Sequence, residues 1–269
     1  MEVPGRCRDS LSAAAQTSEP WENEAVTSKE STSPQPARAY ETVLGSIEAD
    51  LRAGKIKIGD QLPGERSLAE THGISRASVR DAIRILDAMG MVRTSTGSGP
   101  NSGAVVISEP AIGLSATLRL HVASRQLPVA DIVESRILLE TWAAESADLT
   151  SNPEHSDEVL RRAGELLQAM DEPGLDREKF HDLDSQFHVL LSSLAGNAVI
   201  EAMMESLRLS ISDYVSESVS GNEAWQKIAE VLRVQHHGIH KAVAAGDGTL
   251  AAKLLREHIE WFYTESRQL

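Results

Sequence analysis

Four polar side chains in the C-terminal half have the types and spacing of metal ligands: Asp184, His188, His236 and His258. Asp184 and His188 lie four apart, so on a helix their carboxylate and imidazole project from the same side and can grip one ion. His236 and His258 fall on two later helical segments, which an antiparallel turn would bring together. Three nitrogens and one oxygen suit Zn²⁺, Ni²⁺, Mn²⁺ or Fe²⁺ without choosing among them, and coordination positions left open would accept water or a ligand. Spacing alone leaves rivals. His237 and His240 compete with His236, and His181 and Asp182 compete with the Asp184 pair. Polar pairs at helical spacing also commonly mark nothing more than a solvated face.

A second set, near the N-terminus, has the chemistry of DNA contact. Arg76 and Arg80 are four apart and share a helix face distinct from the apolar stripe Val79, Ile83 and Leu86. Guanidinium groups there can fork onto a guanine edge or a phosphate. Ser78 offers a hydroxyl to either, and Arg66 opens the preceding helix. The free N–H groups behind Ser75 add an anion-binding helix start. The competing assignment gives these arginines only surface pairs with Asp81 or Asp87.

These residues need elements to hold them. From Tyr40, apolar residues Val43, Leu44, Ile47 and Leu51 recur at three- and four-residue spacing, the pattern of one helix, ended by Gly54. A second helix is expected from about Glu65 to Thr71. Gly73 makes the turn, Ser75 caps the third helix, and Gly90 stops it. Met91–Thr94 and Ala104–Ile107 read as strands around the glycine-rich loop ending at Gly103, where a bare backbone could approach the minor groove. Three helices and a hairpin make a winged helix-turn-helix. Beyond Pro110 only helical patterns occur, near 111–123, 128–149, 154–171, 174–195, 197–219, 222–245 and 247–267, punctuated by proline and glycine. Short connections imply an antiparallel bundle. The expected fold is therefore mainly α. A disordered tail over 1–37 precedes a DNA-binding domain over 38–108 and an all-helical effector and dimerisation domain over 109–269.

Composition limits the function. The net charge of −14 looks wrong for a DNA binder, but segments 1–37, 38–108 and 109–269 carry −3, +1 and −12. The acidic excess sits away from the candidate DNA face, and weak non-specific affinity is expected because few phosphates are neutralised. Aromatic residues make up only 4%, and Cys7 is the only cysteine, which rules out an intramolecular disulfide and a cysteine-based metal site. No apolar run approaches the roughly 18 residues of a membrane span. The N-terminus lacks a secretory pattern. A cytoplasmic, nucleoid-associated protein is the expectation, with no membrane partner.

The motifs themselves carry a resemblance. Leu62-Pro63-Gly64-Glu65-Arg66-Ser67-Leu68-Ala69 with Ser75-Arg76-Ala77-Ser78-Val79-Arg80-Asp81-Ala82 resembles the N-terminal domain of GntR-family transcriptional regulators. The resemblance implies operator contact by Arg66, Arg76, Ser78 and Arg80. Ala77 stands where the family often has threonine. Further on, Arg136-Ile137-Leu138-Leu139-Glu140, Asp184-Ser185-Gln186-Phe187-His188 and Leu255-Arg256-Glu257-His258 look like the FCD effector domain of the FadR subfamily. That resemblance implies a metal held by one aspartate and three histidines. Its third and fourth ligands fall eleven residues before and after Asp247 of the Gly246-Asp247 turn, which selects His236 and His258. Arg136 matches an arginine inside the FCD cavity, implying an anionic effector, most simply a small carboxylate. An ion pair with Glu140, four residues on, is the equal alternative. The implied molecule is a homodimeric regulator, by default a repressor, bound to an inverted-repeat operator and released by its effector. A metal-responsive regulator and a purely structural metal are the alternatives. A metal-dependent enzyme is not expected, because no general base or nucleophile accompanies the ligand set. Trp142, Trp225 and Trp261 are expected in bundle packing.

Overall fold

The computed structural model describes residues 39–95, 103–211 and 221–266. The tail expected to be disordered, the tip of the wing and the last part of the helix expected over 197–219 lie outside those residues.

In the N-terminal part, α1 (Ala39–Arg52), α2 (Glu65–His72) and α3 (Arg76–Ala88) pack with an antiparallel hairpin of β1 (Val92–Ser95) and β2 (Gly103–Val106). Val43 and Ile47, Leu68, the stripe Val79, Ile83 and Leu86, and the hairpin residues Val92 and Val106 bury together in one apolar core. The Ser75 hydroxyl accepts the Ser78 N–H at 3.1 Å and caps α3. Gly73, at φ 65°, closes α2 in the left-handed region, which lets the chain turn directly into α3. Gln61 adds an isolated bridge to Val105 at the hairpin edge, a pairing that no local pattern signals.

A tight joint connects this part to the bundle. The Glu109 N–H donates to the Gly90 carbonyl, and Arg93 of β1 pairs with the Glu109 carboxylate. Gly90 has φ 71°, and a Cβ there would lie 2.1 Å from the Glu109 carbonyl oxygen. A Cβ on Gly113 would lie 2.9 Å from the Met89 Cα. Both glycines are thus required by close approach between the end of α3 and the start of the next helix.

The remaining elements are helical: α4 (Pro110–Ala123), α5 (Val129–Glu145), α6 (Pro153–Met170), α7 (Arg177–Ser192), α8 (Ala198–Ser210), α9 (Asn222–Ala244) and α10 (Gly248–Glu265). Phe180, Phe187, Met170, Trp225, Ile239 and Leu255 anchor the bundle core. Leu118 and Val122 of α4 pack on the cluster of Ile132, Leu207 and Ile211, and α4 lies along α8. α5 ends at Glu145, short of the expected 149, because the Asp148 carboxylate accepts the N–H groups of Thr150 and Ser151. That local turn outcompetes another helical turn. α7 starts at Arg177 rather than 174, where the Asp176 side chain caps it. One expectation is corrected: Trp225 is core, but Trp142 is 41% exposed, since it stands beside rather than on the buried stripe of α5.

Candidate metal centre and DNA-reading face

The four candidate donors converge. One donor atom from each of Asp184, His188, His236 and His258 lies within 4.8 Å of every other. α7 supplies the first two, α9 and α10 the others, and the turn at Gly246 folds α9 back on α10. The competitors go elsewhere. His237 pairs with Asp171 at 2.8 Å, His240 faces the Leu160 carbonyl, and His181 lies one turn along α7. His72, His121 and His155 lie outside the cluster, the latter two exposed.

Neighbouring groups aim the imidazoles. His188 Nδ1 lies 2.6 Å from Glu140 Oε2, so Nδ1 carries the proton and the Nε2 lone pair faces the cluster. His258 Nδ1 lies 2.8 Å from Gln235 Oε1 and is fixed in the same sense. His188 Nε2 is buried without a hydrogen-bond partner, as are both nitrogens of His236. His236 Nε2 does approach Asp184 Oδ1 at 2.9 Å, but the approach lacks hydrogen-bond alignment, which is how two donors to one ion would meet. Buried lone pairs facing one another and a carboxylate are costly unless a cation lies among them. The donor set therefore fits a divalent ion. Phe180 and Phe187 pack on the His236 ring and seal it.

Two buried charges complete the centre. Arg208 of α8 donates from Nη1 to Asp184 Oδ2 at 2.8 Å and from Nη2 to Glu140 at 3.3 and 3.4 Å. Arg136 donates from Nε to Glu140 Oε1 at 3.1 Å and also lines the cavity beside the cluster. Both readings of Arg136 thus hold geometrically: it pairs with Glu140 and it faces the cavity. Burial opposes the charge on Asp184 and on Glu140, but Arg208 first, then the histidines and, for Glu140, Arg136, hold both carboxyls well below their usual range. The cavity measures about 570 Å³, with Arg136, Asp184, Arg208 and His258 on its wall beside Val133, Ile259 and Phe262. Neither Arg208 nor the second role of Glu140 is legible in residue spacing, since their partners lie 24 to 68 residues away. The available signal was that Arg208 interrupts the apolar stripe Met204, Leu207 and Ile211, where a charge must be paired to be buried.

Acid should unfold this centre. Burial, reinforced by Arg208, pushes the His188 pKa from 6.5 to about 4, and burial with neighbouring histidines drives His258 well below its usual value. Between those limits the unfolded chain binds more protons than the folded one. Stability is therefore full above about pH 6.5 and lost as pH falls toward 4, at roughly 1.4 kcal/mol per pH unit for each such histidine. Thermal melts of chelated protein across pH 7.5 to 4.5 should show a steep fall in Tm below 6.5. A flat profile would mean that these histidines titrate normally.

On the N-terminal face, α3 presents Arg76, Ser78 and Arg80 from its first turns, with Arg76 and Arg80 exposed. Neither arginine takes up the Asp81 or Asp87 pairing. Asp87 instead accepts from Thr94, while Glu65 of α2 receives Arg80 at 3.0 and 3.2 Å and Arg76 at 3.6 Å. The hydrogen bond from Arg80 outweighs slight burial and lowers the Glu65 pKa. Arg66 donates to Glu70 at 2.9 Å, and the Ser78 hydroxyl lies 3.0 Å from that of Ser75. Gly103 stands at the base of the hairpin at φ 133°, where a Cβ would lie 2.8 Å from Gln61 Nε2. Its bare backbone thus makes room for Gln61, and the wing tip lies outside the described residues.

Residues 39–100 match the family described as bacterial regulatory proteins, gntR family, and residues 131–260 match the FCD domain. The HTH-type transcriptional regulator LutR of Bacillus subtilis is 28% identical over 78% of this chain and 92% of its own. The Glc operon transcriptional activator of Escherichia coli K12 is 26% identical over 81% and 85%. A solved GntR structure from Streptococcus agalactiae superposes with TM-score 0.59 at 22% identity, over 86% of this chain and 99% of that one, a likeness of fold. No helix among the described residues is long and apolar enough to cross a membrane. A winged helix-turn-helix at 39–100 followed by a matching helical effector domain identifies the chain as a DNA-binding transcriptional regulator of the GntR family with an FCD domain.

Proposed function

We propose that this regulator is a homodimeric repressor of the FadR subfamily, released from an inverted-repeat operator when a small carboxylate enters the cavity beside a divalent ion. Residues 38–108 would bind DNA, one half-site per subunit, and residues 109–269 would bind effector and partner subunit. Asp184, His188, His236 and His258 would hold the ion, and Arg136 would face the carboxylate. The observation that carries this reading is the convergence of four donors, with buried unpartnered nitrogens; two of the donors, Asp184 and His258, stand on the wall of a cavity that also presents the guanidiniums of Arg136 and Arg208. A bound divalent ion would supply a Lewis acid with open positions for an anionic oxygen. Burial of His188, His236 and His258 at 4% exposure or less favours a resident ion over a freely exchanging signal.

Fluorescence anisotropy on a duplex from the chain's own upstream region tests this. A panel of small carboxylates should contain at least one that weakens binding by tenfold or more in metal-loaded protein and has no effect after chelation. Operator affinity that follows the metal and ignores every acid would favour the metal-responsive alternative. Indifference to both would leave the metal a structural role.

A further inference from the structure

The exposed face of α3 carries one arginine that the resemblance does not assign to the operator. Arg76, Arg80 and Arg84 stand at i, i+4 and i+8, and each four-residue step advances the side chain about 40° around the helix. The row therefore turns away from the buried stripe of Val79, Ala82, Ile83 and Leu86, and Arg84 projects almost directly opposite it. Its side chain is 72% exposed, against 62% for Arg76 and 49% for Arg80. Its charge is also the least committed of the three. Glu65 of α2 holds Arg76 and Arg80, whereas Asp81 stands 3.9 Å from Arg84, past hydrogen-bond range, and is itself exposed. A surface pair at that distance adds little to stability. Asp87, the other carboxylate of α3, is drawn off by Thr94, whose N–H and hydroxyl it accepts at 3.2 and 3.4 Å. Neither packing nor a tight ion pair accounts for Arg84.

Distance along the helix sets what this arginine would meet. At 1.5 Å per residue, the eight-residue step from Arg76 to Arg84 spans about 12 Å. The major groove is also about 12 Å wide. Helix-turn-helix domains dock with the first turn of the recognition helix over the base edges. Position 84 then lies about one groove width away, over the sugar–phosphate strand that borders the groove. A guanidinium there meets phosphate oxygens, which carry no sequence information and fix the register of the protein on the duplex. We infer that Arg84 is a phosphate-contacting residue, additional to Arg66, Arg76, Ser78 and Arg80, that anchors the far end of α3 on any duplex alike. This inference rests on the entry of α3 into the groove and extends it.

Anisotropy titrations of full-length protein on an operator duplex and a scrambled duplex, over about 0.05 to 0.5 M salt, isolate the contact. Each phosphate contact contributes about 0.9 to the slope of log affinity against log salt. Arg84→Gln, similar in reach but uncharged, should lower that slope by about 0.9 on both duplexes. It should weaken both by about eightfold at 0.1 M salt, a loss that fades toward 1 M, and leave their ratio within about twofold of wild type. Arg84→Lys should restore slope and affinity, because phosphate accepts a point charge. Melting curves of both variants should match wild type. An unaltered slope in Arg84→Gln overturns the assignment, and so does a loss confined to the operator, which would make Arg84 a reader of bases. The double variant Arg76→Ala, Arg80→Ala, run alongside, tests the reading beneath. Operator binding that survives it defeats groove entry through α3, whereas loss there with wild-type binding in Arg84→Gln defeats the role of Arg84 alone.

Discussion

The double variant His236→Ala, His258→Ala is expected to lose its bound divalent ion and, with it, much of the thermal stability of the helical half. Two of four donors disappear, leaving Asp184 and His188 on one helix, a pair that cannot enclose an ion. A ligand present at a thousand times its dissociation constant stabilises the folded state by about 4 kcal/mol, and that contribution is lost. An opposing effect distinguishes this from ordinary core damage. His236 and His258 are 0% and 4% exposed, and without an ion both nitrogens of His236 lack a partner, so deleting it also removes a penalty. The gap in Tm between wild type and variant should thus be wide in metal-replete buffer and narrow in chelator. Elemental analysis paired with melts in both buffers checks it. A full metal complement in the variant, or an equal gap in both buffers, would rule out these two histidines as ligands.

The sequence pattern reveals some of this and hides the rest, for identifiable reasons. The turn at Gly73, the cap at Ser75 and the stripe Val79, Ile83 and Leu86 are local, and local chemistry decided them. Asp184 and His188 are legible because four-residue spacing is itself a geometric statement. His236 and His258 needed the resemblance, since spacing alone left His237 and His240 in contention. Arg208 was hidden because its partners are tertiary: Asp184 lies 24 residues away and Glu140 lies 68. Glu65 was hidden likewise, since its hold on Arg80 spans 15 residues and the turn between two helices.

Arg208 connects the candidate metal centre to α3. Arg208 ties α8 to Asp184 and Glu140, and α8 packs on α4 through Leu207 and Ile211. α4 in turn begins at the glycine joint against Met89 and Gly90, at the end of α3. An anion that draws Arg208 away from Glu140 would therefore act on a helix in direct contact with α4, the helix that meets the end of α3. Such a shift regulates only if the effector binds one arrangement more tightly than the other.

Replacing Arg76 and Arg80 together with alanine is expected to abolish specific operator binding while leaving the fold intact. Their guanidiniums are exposed, and surface ion pairs of this kind add little to stability, so Tm should barely move. If α3 enters the groove as proposed, the same groups would face base edges or phosphates, where each good bidentate contact is worth about 10- to 100-fold in affinity. Arg66→Ala, on α2 rather than on α3, should weaken binding less. Glu65→Gln separates the positioning of the arginines from their charge. It releases both guanidiniums and removes a carboxylate near the phosphates, so non-specific affinity should rise while discrimination between operator and scrambled duplex falls. Anisotropy titrations of both duplexes at several salt concentrations measure each effect, and the salt slope should drop by about one for every phosphate contact removed. Operator binding by the double variant that matched wild type at every salt would mean that α3 does not read the groove through these arginines.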